Sequence, residues 1–195
     1  MTKTVWIDLD DVLCNTMQTL LNHHWWKIRW VPLAYQEVTD YLMQDLKNLK
    51  LDFQEFLDIY CWFGLSDGFW QIKPCDWAVD FVNSLYQNWY KIHIITWRDE
   101  RRIDRTNERV QKFYPQVECD NIHFCWVFGK NPIPKSQVIK NLDLQFFVDD
   151  LPLFCNELCQ NLDIPIYLLD KPWNRNSDLH PQIKRINSFD EIIIS

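Results

Sequence analysis

The chain opens with an apolar run at residues 5–7 that stops at Asp8, passes Leu9 to Asp10 and Asp11, and turns apolar again at Val12. Such a run suits a strand buried on both faces, as in a parallel sheet. Residues 15–30 then place Met17, Leu20, Leu21, His24 and Trp25 at helical spacing, with Asn15 or Thr16 as cap and Pro32 as stop. Helical patterning continues over 38–49 and over 52–63, where Asp52 can cap, and 69–72 is a short aromatic piece before Pro74. No strand pattern enters residues 16–74, a span far longer than an ordinary strand-to-helix link. It is predicted as an inserted helical cap.

From residue 76 the pattern becomes regular. Helices are predicted at 76–88, 100–114, 135–141 and 151–161, and strands at 91–96, 121–127, 145–148 and 165–169, with a loop over 170–178. Residues 184–194 carry two signals: isoleucines at 192–194 favour a strand, and Ser188 with Glu191 resembles a capping box. A terminal helix is predicted. Alternating strands and helices with short links predict an α/β fold, a doubly wound parallel sheet. Its core would comprise 1–15 and 75–195, with the helical cap at 16–74.

Composition narrows the function. Three glycines in 195 residues leave no Gly-rich loop to wrap a nucleotide phosphate, which argues against dinucleotide enzymes and P-loop NTPases. A net charge of −7 speaks against duplex nucleic acid as a partner. No apolar run has the length of a membrane span. Seven cysteines, an odd number without a CxxC pair, and a strand starting almost at Met1 predict free thiols in the cytoplasm. Eleven tryptophans would favour a homodimer if the Trp-rich face of the cap is exposed.

Three predicted strands end in polar groups: Asp8 and Asp10, Thr96, and Asp149 with Asp150. In open α/β sheets ligands bind beyond the carboxyl ends of the strands. Paired carboxylates repel unless a cation offsets them, and oxygen-only ligands suit Mg²⁺. The set suits phosphoryl transfer. Asp8 would attack phosphorus, Asp10 would protonate the leaving oxygen and then activate water, and Thr96 with the Trp97 amide would hold phosphate oxygens. Lys135 is preferred to Lys140 for charge neutralisation, because it begins its helix near the sheet edge. Mg²⁺ would be held by Asp8, Asp149 and the Asp10 carbonyl. Adjacent strand residues face opposite ways, so Asp149 is assigned as ligand and Asp150 as its support. Arg98 and Arg175 are candidate phosphate or ribose contacts. Of the aromatics Trp25, Trp26, Trp30, Phe63 and Trp70, most should form cap core and one or two should face the cleft.

These motifs, Asp8-Leu9-Asp10-Asp11-Val12, Ile94-Ile95-Thr96, Lys135 and Phe147-Val148-Asp149-Asp150, stand in an order that resembles the haloacid-dehalogenase superfamily of phosphatases. The helical insertion, Val148-Asp149-Asp150-Leu151-Pro152 and the loop Asp170-Lys171-Pro172-Trp173-Asn174-Arg175 are most similar to its 5′(3′)-deoxyribonucleotidase-like branch. The resemblance implies a Mg²⁺-dependent phosphomonoesterase whose substrate is a small phosphorylated metabolite, nucleoside monophosphates leading. Sugar phosphates are the alternative substrate, and a non-catalytic binding protein on the same fold the alternative class. Two departures stand out: Asp11 replaces the family's usual Gly, and Trp97-Arg98-Asp99 follows the hydroxyl where a small residue and Arg-Pro are common.

Overall fold

The computed structural model describes residues 3–28, 33–44, 46, 51–125, 133, 135–139 and 144–194, with the backbone alone for 24–28. Six strands form one parallel sheet: β1 (Thr4–Asp8), β2 (Lys91–Thr96), β3 (Ile122–Phe124), β4 (Leu144–Asp149), β5 (Ile166–Leu169) and β6 (Ile183–Ile186), in the order β3-β2-β1-β4-β5-β6. The helices are α1 (Thr16–Ile28), α2 (Phe53–Leu65), α3 (Ala78–Gln87), α4 (Ile103–Phe113), α5 (Lys135–Ile139) and α6 (Pro152–Cys159). This is the doubly wound α/β architecture expected from the sequence.

The sheet separates two apolar clusters, as the pleat requires. Val5, Ile7, Ile94 and Val148 face α1, α2, α3 and α4, while Trp6, Ile95 and Phe147 face α5 and α6. β1 is therefore buried along its whole length. The described residues of 16–74 contribute helices and 3-10 turns, and their apolar side chains join the first cluster. The two ends of this excursion pair with each other: the Asn15 N–H donates to the Lys73 carbonyl (2.9 Å) and the Cys75 N–H to the Leu13 carbonyl (2.9 Å).

Three expectations need correction. The described part of 38–49 is not helical; a 3-10 turn lies just before it, at Tyr35–Glu37. The Asp40 carboxylate accepts the Leu42 and Gln44 N–H groups, at 3.2 and 2.7 Å, and so competes with helical bonding. The terminal helix is absent as well. β6 pairs with β5 at 183–186, followed by a 3-10 turn at Phe189–Glu191, and Ser188 makes no side-chain cap. Lastly, neither Asn15 nor Thr16 caps α1; Asp11 reaches forward to accept the Met17 N–H at 2.9 Å. Asp52 does cap α2, accepting from Glu55 N at 2.8 Å. The predicted ends at 29–30, 126–127 and 140–141 lie outside the described residues.

Asp11 adopts φ 60°. Left-handed backbone costs most residues about 1–2 kcal/mol, but Asp tolerates it. The residue therefore does what a Gly would do for the turn and also caps the next helix. Asp11→Ala should destabilise the chain by about 2 kcal/mol, from strain and the lost cap, while Asp11→Asn should cost less than half of that. Urea unfolding measures the difference; equal losses would contradict the assignment.

On the α5–α6 side, His93 and His123 stack with Trp6 at centroid distances of 4.9 and 4.5 Å, and their ring nitrogens lie 2.8 Å apart. Burial, then His123 and Lys91, pull His93 down to about 4. A histidine in the unfolded chain titrates near about 6.5. Between those values the unfolded chain binds a proton that the folded chain refuses. The His93 contribution to stability is therefore full above the window and falls as pH drops through it, by about 2 kcal/mol from pH 7 to pH 5. Asp11, which burial raises to about 7, contributes in the opposite sense over the same range. Between those pH values His93→Phe should lose about 2 kcal/mol less than the parent in urea melts, and an equal pH dependence of the two would refute the role.

Candidate active site

Parallel register brings the strand ends level. Asp8 lies opposite Ile95, one residue before Thr96, and Ile7 lies opposite Val148, one residue before Asp149. The rim thus gathers residues that are far apart in sequence. Lys135, 1% exposed at the start of α5, donates to Asp149 Oδ2 at 2.7 Å and to Asp8 Oδ1. Burial opposes its charge, but Asp149 and Asp8 together hold the ammonium well above its ordinary range. Lys140 lies outside the described residues.

Asp8, Asp149 and Asp150 each offer a carboxylate oxygen, all within 4.8 Å of one another. Burial pushes Asp8 well up, against the pull of Lys135, and neighbouring carboxylates add to the rise. Asp150 is raised for the same first reason, with Asp149 next. Three buried carboxylates around one ammonium leave negative charge in excess. Hard oxygen donors in that state fit Mg²⁺, which is the test the donor set must pass.

Asp150 therefore joins the acidic group and does not merely support Asp149 from the opposite face. β4 ends at Asp149 and the chain bends at Asp150, so strand alternation no longer governs where its carboxylate points. Trp173 Nε1 fixes one Asp150 oxygen at 2.7 Å, and Asn174 Nδ2 donates to the Asp150 and Leu169 carbonyls, each at 2.8 Å. Asp149 uses its other oxygen to accept the Leu151 N–H at 2.9 Å.

Asp10 is built into a different set of contacts. Its carboxylate accepts from Thr16 Oγ1, from Thr96 Oγ1 at 3.1 Å, and from Arg98 Nη2 at 2.7 Å and Nε at 3.1 Å. Burial alone would raise it, yet the Arg98 charge and hydrogen bonds outweigh burial and take it down to about 2. Its side chain is absent from the acidic group of Asp8, Asp149 and Asp150. Arg98 is 1% exposed and stacks over Phe69 at 4.9 Å. It is thus a partner of Asp10, not a solvent-facing phosphate contact. The physical reason is that the Asp10 carboxylate offsets the cost of burying the Arg98 guanidinium.

The Thr96 hydroxyl accepts the Arg98 N–H at 3.2 Å while donating to Asp10. The 3-10 turn that follows is capped by Asp99, which accepts from Arg101 N at 2.9 Å. Trp97 is half-buried, its ring edge-on to Phe154 at 4.6 Å. Arg175 pairs with Asp170 at 2.9 Å. Phe63 is core, and Trp70 is half-buried against it; Trp30 and the side chains of Trp25 and Trp26 lie outside the described residues. Thr16 and Trp173 were not marked by sequence as site residues. A hydroxyl at a helix start and a Trp in a loop carry no signal of their own.

Beside the acids lies a recess of 250 Å³, lined by Tyr41, Leu42, Trp97, Leu151 and Trp173 among others. Trp97 and Trp173 tie it to Thr96 and Asp150, so an apolar group and a phosphate could be held side by side.

The fold as a whole is shared with solved structures. The chain has the fold of haloacid-dehalogenase-like hydrolases. A family IA, variant 3 hydrolase from Entamoeba histolytica aligns with TM-score 0.53 and 17% identity, over 98% of this chain and 96% of that one. A HAD family hydrolase from Deinococcus radiodurans, solved with bound phosphate and sodium, aligns with TM-score 0.59 and 14% identity, over 88% and 84% of the two chains. A haloacid dehalogenase-like hydrolase from Streptococcus pneumoniae gives TM-score 0.58 and 16% identity, over 86% and 84%. No family model matches the sequence. No curated protein matches it either.

Proposed function

We propose that the chain is a Mg²⁺-dependent phosphomonoesterase acting on nucleoside monophosphates through an aspartyl-phosphate. The observation that carries the reading is Lys135 bridging Asp8 and Asp149 at the rim where three carboxylates gather. The phosphate held by the Deinococcus hydrolase of the same fold supports it.

In this reading Asp8 is the nucleophile. Lys135 holds one Asp8 oxygen, so the other can face phosphorus along one line, and positioning of that kind lowers the entropic part of the barrier. Lys135 also places a positive charge beside the anionic nucleophile and the incoming phosphoryl group. Such a preorganised donor is worth about 3–4 kcal/mol. Asp8, Asp149, Asp150 and the Asp10 carbonyl would hold Mg²⁺. When bound, the ion supplies charge that offsets the phosphate's own. The Trp97 N–H donates to phosphate oxygens, and the Thr96 hydroxyl acts mainly by orienting Asp10.

Asp10 is ionised in the observed contacts, which is the form that activates water for the second step. Protonating the leaving oxygen requires it to bind a proton against the pull of Arg98. Esters of weakly basic alcohols, which need that proton least, should therefore turn over fastest.

The apolar recess suits a flat base more than a hydroxyl-rich sugar, since stacking contributes about 1–3 kcal/mol per base. Hydrolysis of a panel of phosphate esters, with Mg²⁺ and with excess chelator, tests the proposal. Nucleoside monophosphates should exceed hexose phosphates at least tenfold in kcat/KM, and Trp97→Leu should shrink that ratio several-fold. A preference for sugar phosphates would overturn the substrate class. Activity that survives chelation would overturn the mechanism.

A further inference from the structure

A second cavity, of 510 Å³, lies apart from the carboxylates and shares no lining residue with them. Three pieces of chain line it: Asn15 with Gln18 and Asn22 of α1, the returning segment from Trp70 to Lys73, and Arg109 and Lys112 of α4. Its size falls in the range of small-molecule sites. In a chain of net charge −7, its lining holds Lys73, Arg109 and Lys112 and not one carboxylate. Among the described residues none of those three cations has an ion-pair partner.

Arg109 is the decisive group. It is only 6% exposed, lies with its guanidinium 4.6 Å over the Phe113 ring, and donates from Nη1 to the Trp70 carbonyl at 2.9 Å. Its Nε–H is buried and has no hydrogen-bond partner. A buried donor without an acceptor is costly, and a planar guanidinium is the group best matched to an anionic oxygen pair.

We propose that this cavity is a binding site for a small organic phosphate, distinct from the site of phosphoryl transfer. The phosphate oxygens accept from the Arg109 guanidinium and from the ammonium groups of Lys73 and Lys112. The amides of Gln18 and Asn22 meet the hydroxyls of the attached organic group, and the half-buried Trp70 ring flanks it. Occupancy ties the returning end of the insertion to α4. It also braces Asn15, whose N–H and Nδ2 already hold the Lys73 and Pro74 carbonyls at 2.9 and 3.0 Å.

The test uses the full chain, labelled with ¹⁵N-arginine, in excess chelator so that no turnover interferes. Ribose 5-phosphate and inorganic phosphate are the probes, and the Arg109 Nε–H resonance is assigned by its loss in Arg109→Lys. That resonance should move saturably with ribose 5-phosphate, and less with inorganic phosphate. The paired change Lys73→Glu and Lys112→Glu, at exposed positions, should weaken binding at least tenfold with the unfolding curve kept. Asp8→Asn should leave it unchanged. A resonance that stays still, binding indifferent to the two lysines, or a shift that vanishes in Asp8→Asn would each overturn the proposal. Because the readout involves no hydrolysis, a failed phosphatase assay leaves it standing, and the reverse holds too.

Discussion

Asp8→Asn should abolish turnover of every phosphate ester while leaving the unfolding midpoint within a few degrees of the parent. The amide keeps the shape but loses the anionic oxygen that would attack phosphorus in the proposed mechanism, and removal of a nucleophile from a cooperating set has cost other enzymes about a millionfold. The loss expected here is at least a thousandfold in kcat. The change also removes one charge from a buried group of three carboxylates, so the fold should not suffer. A single-turnover assay with an aryl phosphate and Mg²⁺ measures it. Residual activity above a tenth would show that phosphorus is attacked by something other than Asp8.

Lys135→Ala should have the second large effect, and it falls on stability as well as rate. Among the described residues the lysine is the one cation bonded to both Asp8 and Asp149, and all three side chains are buried. Removing one partner of a buried ion pair strands the other, with typical losses of about 3–5 kcal/mol. Here two carboxylates are stranded beside a third. Mg²⁺ should then recover part of the lost stability, because an ion that binds only the folded chain stabilises it by mass action. Urea unfolding with and without the ion gives both numbers. A loss below about 1 kcal/mol, or no response to Mg²⁺, would mean the acids do not share a charge-compensated site.

Much of this arrangement was legible in the sequence. β1, β2 and β4 are apolar runs that end in carboxylates or a hydroxyl, and a parallel sheet leaves such groups only one common place, the rim beyond their carboxyl ends. Lys135 could be placed there from its position at a helix start. What could not be read depends on contacts between distant residues. Arg98 follows Thr96 whether it turns outward to a substrate or inward to Asp10, and only the packed structure shows the inward choice. Asp150 obeys strand alternation only while the strand lasts, and the strand ends one residue before it. β6 is fixed by pairing with β5, although the segment after it carries the stronger β-branched signal. In 38–49 the apolar spacing fits a helix, yet a single aspartate, Asp40, takes the N–H groups that would have begun it.

The replacement of Gly by Asp11 has a physical account as well. A chain with three glycines must place other residues at left-handed positions, and Asp11, Met43, Trp77 and Trp89 all have φ between 57° and 64°. Asp11 is the one among them that also satisfies a helix N-terminus.

The central claim is tested most directly by a crystal structure of the chain grown with Mg²⁺ and beryllium trifluoride, a mimic of a phosphoryl group on a carboxylate. The account predicts the mimic on the free oxygen of Asp8, within hydrogen-bond reach of Lys135, and the ion held between Asp8 and Asp149. A mimic bound elsewhere, or an ion that ignores Asp149, would contradict it.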